Sequence, residues 1–202
     1  MTNPPNSPNS PNLEPMTRTQ ILIVMAVTAI GLLLVARIWM QVSTVNLLAV
    51  QITGPAVVQG ILLGLGISLA SILIYQVWAD YRRSADYYLE LIIKPLVLID
   101  LIWLGLLPGL SEELLFRGIM LPEFGLNWQG LTLSSVCFGI LHLSSLKHWA
   151  YVVWASIIGI VLGISAIQTS NLLIPIVAHV FTNILSGLIW KFRHRSSQEN
   201  VP

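Results

Sequence analysis

The sequence predicts an all-α, polytopic transmembrane helical bundle of about six membrane helices, and three observations carry that prediction. Only 9% of the 202 residues are charged, against about 25% in ordinary soluble domains, while 55% are hydrophobic. The mean hydropathy of +0.78 points the same way. Apolar runs approaching the roughly 20 residues that cross a bilayer recur through most of the chain. With Lys+Arg 10 against Asp+Glu 9 and a net charge of +1, the chain lacks the basic excess that nucleic acid would require, so membrane lipids and protein are the partners to expect. The one cysteine, Cys137, excludes an internal disulfide framework and any multi-cysteine metal site.

The chain divides into a tail over residues 1–17, a membrane-embedded unit over 18–195 and a second tail over 196–202. Residues 1–15 read MTNPPNSPNSPNLEP, too polar to offset chain entropy by burial, and disorder is expected there. The first membrane helix falls at about 21–35 and the second at about 56–79, where Gly60-x-x-x-Gly64 lets another helix approach closely. The polar stretch 80–90 reads as a loop, with Tyr81, Tyr87 and Tyr88 suited to the membrane interface. Apolar sequence resumes over 96–107. There Pro108-Gly109 is expected to break or kink the helix, which restarts with Ser111 as N-cap and Glu112 and Glu113 in its first turn. Further spans follow at about 131–146, 149–167 and 172–190. Six crossings put Arg18, Arg82, Arg83, Lys94, Lys147, Lys191, Arg193 and Arg195 on one side and leave Arg37 and Arg117 for the other, so the positive-inside rule places both termini in the cytoplasm.

Ionisable side chains inside apolar segments cost about 2.5 kcal/mol or more each, so each needs a reason to be there. Glu112, Glu113 and Arg117 form Glu-Glu-x-x-x-Arg, and the four-residue spacing sets Glu113 and Arg117 on one helix face as an ion pair. Glu112, about 100° round the helix, is left to face something else. Phe138 precedes His142 by one turn, and an apolar neighbour favours the neutral imidazole. His179 and Asn183 are again one turn apart within an apolar helix. Any one of these could be structural. Together, a free carboxylate, two histidines and an amide on three helices are what hydrolysis of an amide bond needs: a general base for water and donors for the oxyanion.

Ser111 to Gly118 (SEELLFRG), Phe138 to His142 (FGILH) and His179 to Asn183 (HVFTN) resemble, in order, the three motifs of the CPBP family of intramembrane peptidases, the CAAX-protease and bacteriocin-processing type. The resemblance covers roughly residues 108–188. It implies a membrane endopeptidase acting on a membrane-associated or lipidated peptide, with Glu112 and His142 activating water and Glu113 held by Arg117. His179 and Asn183 then polarise the scissile carbonyl or bind metal. Two mechanisms stay open. Glu112, His142 and His179 would make a three-ligand set with an open position for Zn2+; alternatively Glu112 is the base and no metal takes part. Straight helices would hold Glu112 and His142 at opposite depths, and the break at Pro108-Gly109 is expected to bring them together.

Other readings weigh less. Gly163-Ile164-Ser165 with His179 is a loose match to a rhomboid-type serine peptidase, and the chain has no His-Glu-x-x-His. Intramembrane Glu and His also mark proton or cation pathways, and a scaffold or immunity-like protein could keep the fold without using the site. Asp100 is expected to pair with Arg117 or another cation or to sit near an interface, Lys94 to anchor at the interface, and His148 and His194 to be solvated.

Overall fold

The protein is described here by a computed structural model covering residues 16–199, with side chains described as far as residue 194. The 1–15 part of the expected disordered tail therefore lies outside the described residues, as do the side chains of the expected C-terminal tail and of Arg195. Every regular element among the described residues is helical. Four helices are long and apolar enough to cross a membrane: α1 (Arg18–Val42), α2 (Gly54–Val77), α7 (Trp149–Thr169) and the apolar part of α8 (Leu173–Glu199). α3 (Ala79–Ile93) and the helix over Leu98–Phe124 are bent by 111° against each other, which makes a fifth span if the pair is counted as one, and α6 (Trp128–Leu141) is a shorter apolar helix. Together these account for the six apolar segments counted from the sequence, and the chain is an integral membrane protein.

Local signals set the helix starts. Thr17 and Gln20 form a reciprocal capping box at α1. Thr53 caps α2, with Pro55 in the first turn, and the Asn127 side chain accepts from two backbone N–H groups at the start of α6. α7 ends on Ser170 in the left-handed region, φ 49°.

Residues 80–90 are not a loop. They form the amphipathic α3, whose Tyr81, Ser84, Ala85 and Ile93 are buried while Arg83, Asp86, Tyr87 and Glu90 are exposed. The three- and four-residue spacing of the buried set is a helical stripe, masked in the sequence by the density of charge around it. Nor does Pro108-Gly109 break a helix. Pro108 sits inside α4 (Leu101–Glu113), and Ser111 is an interior residue whose hydroxyl donates to Leu107 O at 2.7 Å, not an N-cap. A proline at 108 cannot donate to the carbonyl of Leu104. The Asn183 amide of α8 donates to that carbonyl instead, at 3.4 Å, so the helix continues. The change of direction falls earlier, between Ile93 and Leu98, where the chain turns by 111°. Lys94-Pro95 ends α3, and Asp100 closes the new helix start by accepting from Val97 N–H at 2.8 Å.

After α4 the helix widens to a π-helical stretch, Leu114–Met120, before the last turn α5 (Leu121–Phe124). Within this wider stretch Gly118 O accepts from Leu48 N–H, at 3.0 Å, in the segment that joins α1 to α2. Such π stretches are rare and gather at functional sites.

Close backbone approaches hold the bundle. α2 and α8 pack along Gly60 and Gly64, where an added Cβ would lie 2.6 Å from Val177 Cβ and 2.8 Å from Ala178 O, so the expected small-residue contact is present. Gly105 and Gly109 do the same between α4 and α8, against Val180 and Ile184. One end of the bundle gathers the starts of α1, α4 and α7 and the ends of α2, α6 and α8, with α3 lying across it. Contacts there include Arg18 to Asp100 at 2.7 Å, Lys191 Nζ to Lys94 O at 3.1 Å and Trp78 against Trp149. At the other end Ser43 bonds Glu123, and Gln51 N–H donates to Asn171 at 2.9 Å.

Candidate active site

Glu112 and His142 reach each other through a helical hairpin. α5 ends at Phe124, Gly125 takes φ 101°, and α6 starts at Trp128 running back. Glu112 lies about 18 Å before that turn and His142 about 21 Å after it, at 1.5 Å per residue, so the two arrive at one depth, midway along the Leu98–Phe124 helix and at the C-terminal end of α6. The Glu112 helix begins at Leu98, well before Pro108, so a depth counted from a break at Pro108-Gly109 misplaces Glu112. Glu112 Oε2 lies 3.8 Å from His142 Nε2. His142 Nδ1–H donates to Phe138 O at 2.9 Å, which fixes the tautomer and leaves the Nε2 lone pair toward the carboxylate. Oε2 of Glu112 has no hydrogen-bond partner although it is buried, and such an atom calls for a functional explanation.

Glu113 is wholly buried and accepts from two sides. Arg117 Nη1 donates to its Oε1 at 2.8 Å, as the four-residue spacing predicts, and His179 Nδ1 lies 2.9 Å from the same oxygen. Arg117, itself wholly buried, also donates to Gly159 O at 3.0 Å and places its guanidinium 4.2 Å over the Phe138 ring. Phe138 stands between the parts, edge-on to His179 and tilted against His142. This arrangement neutralises the Glu113 charge, orients His179 and leaves His179 Nε2 as the ring's remaining polar atom.

Glu112, His142, His179 and Asn183 line one cavity of about 500 Å³, together with Tyr151, Trp154 and residues of α1, α2 and α3. Its walls are mainly apolar, and its rim includes Gln76, Asp86 and Arg193 at the α3 end. Among the described residues no three His, Cys, Asp or Glu side chains converge as a group that could hold a metal ion. The set Glu112, His142 and His179 expected for Zn2+ is therefore not assembled in this arrangement.

The remaining expectations resolve simply. Asp100 pairs with Arg18, through two bonds of 2.7 and 2.8 Å, and not with Arg117. Lys94 bonds Glu90 at 2.8 Å. Ser165 donates within its own helix to Leu162 O. His194 stacks on Trp190 and His148 on Tyr87, so neither is simply solvated. Two residues of the site went unpredicted: Tyr151, whose ring stands beside His142, and Tyr88, whose hydroxyl donates to His142 O at 2.8 Å. Tyr88 reaches His142 from α3 and Tyr151 from the following helix α7, and no spacing within a single helix announces either.

Residues 94–185 match the model of the type II CAAX prenyl endopeptidase Rce1-like family. All three motifs fall inside that segment, and the match agrees with the resemblance they carry. The chain is 32% identical over 94 residues to the Bacillus subtilis (strain 168) "Uncharacterized protein YpbD", covering 46% of this chain and 47% of that one. It is 30% identical over 101 residues to an Escherichia coli "Uncharacterized 24.3 kDa protein", covering 48% and 46%. The matches thus span about half the length of these curated relatives. No solved structure matches the chain.

Proposed function

We propose, with the family match as premise, that this protein is an intramembrane endopeptidase that hydrolyses a peptide bond of a membrane-associated or lipidated substrate. The observation that carries the reading is the facing pair Glu112 and His142 at 3.8 Å in a cavity wall, with one carboxylate oxygen unpartnered. A water bonded to both at about 2.8 Å spans that gap. Glu112 takes its proton as general base, and His142, held by Phe138 O, orients it. The water oxygen attacks the scissile carbonyl as its proton passes to Glu112, which returns the proton to the leaving amine. Glu113, itself paired with Arg117, holds His179 Nδ1 and so orients the His179 ring, which with Asn183 is the group we assign to polarising the scissile carbonyl. Asn183 assists through its position on the same face of α8. No step is routed through a metal.

The apolar walls suit a hydrophobic peptide or lipid-bearing segment, and the described cations gather at the α3 end, which we place on the cytoplasmic side with both termini. The test compares protein termini in membranes carrying wild type, Glu112→Gln or His142→Ala. Wild-type-dependent termini should fall by at least about a hundredfold in either variant, the usual weight of a general base. Equal termini in all three, with folding of the variants shown by circular dichroism, would move the reading to a cation-coupled transporter or a scaffold. Incubation with 1,10-phenanthroline should leave cleavage within about twofold; abolition by the chelator and return with Zn2+ would replace the metal-free route.

A further inference from the structure

His142 stands at the C-terminal cap of α6, with φ −89° and ψ 8°, where the helix leaves its last carbonyls without intrahelical partners. The carbonyl of His142 itself is taken by a residue far away in the chain: the Tyr88 hydroxyl of α3 donates to it at 2.8 Å. The Tyr88 oxygen accepts in turn from Ser144 N–H at 3.0 Å and lies 2.7 Å from Ser144 Oγ, which lies 3.2 Å from His148 Nδ1. Read as donors, the chain runs one way, from His148 Nδ1–H to Ser144 Oγ, from Ser144 O–H to Tyr88 and from Tyr88 to the His142 carbonyl, with each hydroxyl used as donor and acceptor. Tyr88 thereby closes the turn after His142, and its ring is packed against Tyr87, His148 and Tyr151.

We infer that Tyr88 is a positioning residue for His142, through which the interfacial helix α3 fixes the register of the catalytic imidazole. The inference rests on the peptidase reading for its consequence, though not for its geometry. His142 is held through its backbone N–H, which donates to Gly139 O at 3.0 Å, through its ring, which donates to Phe138 O, and through its carbonyl, which accepts from Tyr88. Only the bond from Tyr88 comes from outside the hairpin that carries both Glu112 and His142. Tyr88 also lies outside the matched segment 94–185, so it is a feature that the motifs do not contain.

The test is nitrogen-15 histidine NMR on the full chain in nanodiscs, with the His142 signals assigned by their loss in His142→Ala. Wild type should show one neutral tautomer with the proton on Nδ1. Tyr88→Phe, which keeps the ring packing, should split the His142 signal into two tautomers and slow the appearance of wild-type-dependent termini about fivefold, the weight of one hydrogen bond. Ser144→Ala should act in the same direction with smaller size, and serves if Tyr88→Phe fails to fold. Tyr87→Phe, one residue away with its hydroxyl outside the chain, should leave the signal single. A single wild-type His142 signal in folded Tyr88→Phe, or in Ser144→Ala where that is the variant that folds, overturns the inference whatever cleavage does. If wild type produces no termini of its own, the peptidase reading falls while the NMR result still decides the positioning.

Discussion

At the scale of single residues, the site rests on a charge balance confined to one helix. Glu113 and Arg117 are both wholly buried, and each would be an uncompensated charge without the other. Arg117→Leu is therefore expected to lower stability by about 3–5 kcal/mol, read as a fall in the thermal midpoint in detergent, because it strands Glu113. The double variant Glu113→Leu with Arg117→Leu should recover most of that stability and none of the cleavage, since His179 then has no acceptor for Nδ1–H. Equal instability in single and double variants would show that the pair contributes through packing instead of charge. This part of the site was legible in the sequence, because an i, i+4 spacing survives folding unchanged. The tautomer of His142 was not legible, because it depends on the carbonyl of Phe138 at a helix end whose place the sequence did not fix.

At the scale of elements, the sequence misplaced the interruption and missed one helix. A Pro-Gly pair was read as a break because its local cost is plain, while its remedy comes from another helix: the Asn183 amide supplies the bond that Pro108 cannot. That compensation is testable by a double-mutant cycle. Asn183→Ala should cost about 1 kcal/mol in the wild type and clearly less in Pro108→Ala, where the helix regains its own donor to Leu104 O. Equal costs in both backgrounds would assign Asn183 to the cavity alone. α3 is hidden because its charges, Asp80, Arg82, Arg83, Asp86 and Glu90, outweigh a buried stripe present in the spacing of Tyr81, Ser84 and Ala85.

At the scale of the whole molecule, the polar groups are sorted by end. Arg18, Arg82, Arg83, Lys94, Lys147, Lys191 and Arg193 all fall on elements at the α3 end, as the sequence count required, while Arg37 lies toward the other. That asymmetry is the basis of the proposed cytoplasmic placement of the α3 end. In a Cys137→Ala background, Lys147→Cys should react with an impermeant maleimide only when the cytoplasmic face is open to the reagent, and Gln51→Cys only from the opposite face. The reverse pattern would invert the topology and place the cavity rim at Gln76 and Arg193 outside the cell. The number of helices was readable from hydropathy, whereas their convergence on one cavity depended on long-range backbone approaches at Gly60, Gly64, Gly105 and Gly109, which composition suggests but does not pair.

The pairing of Glu113 with Arg117 inside one turn also bears on biosynthesis. His179 belongs to α8, made after the helix that carries Glu113, so while that helix leaves the ribosome the support from His179 does not yet exist. Arg117 does, four residues on, and the Glu113–Arg117 pair can enter the lipid as a neutral unit without waiting for α8. The hairpin that carries Glu112 and His142 is then complete before α8 arrives, and α8 closes the cavity and brings His179 to Glu113.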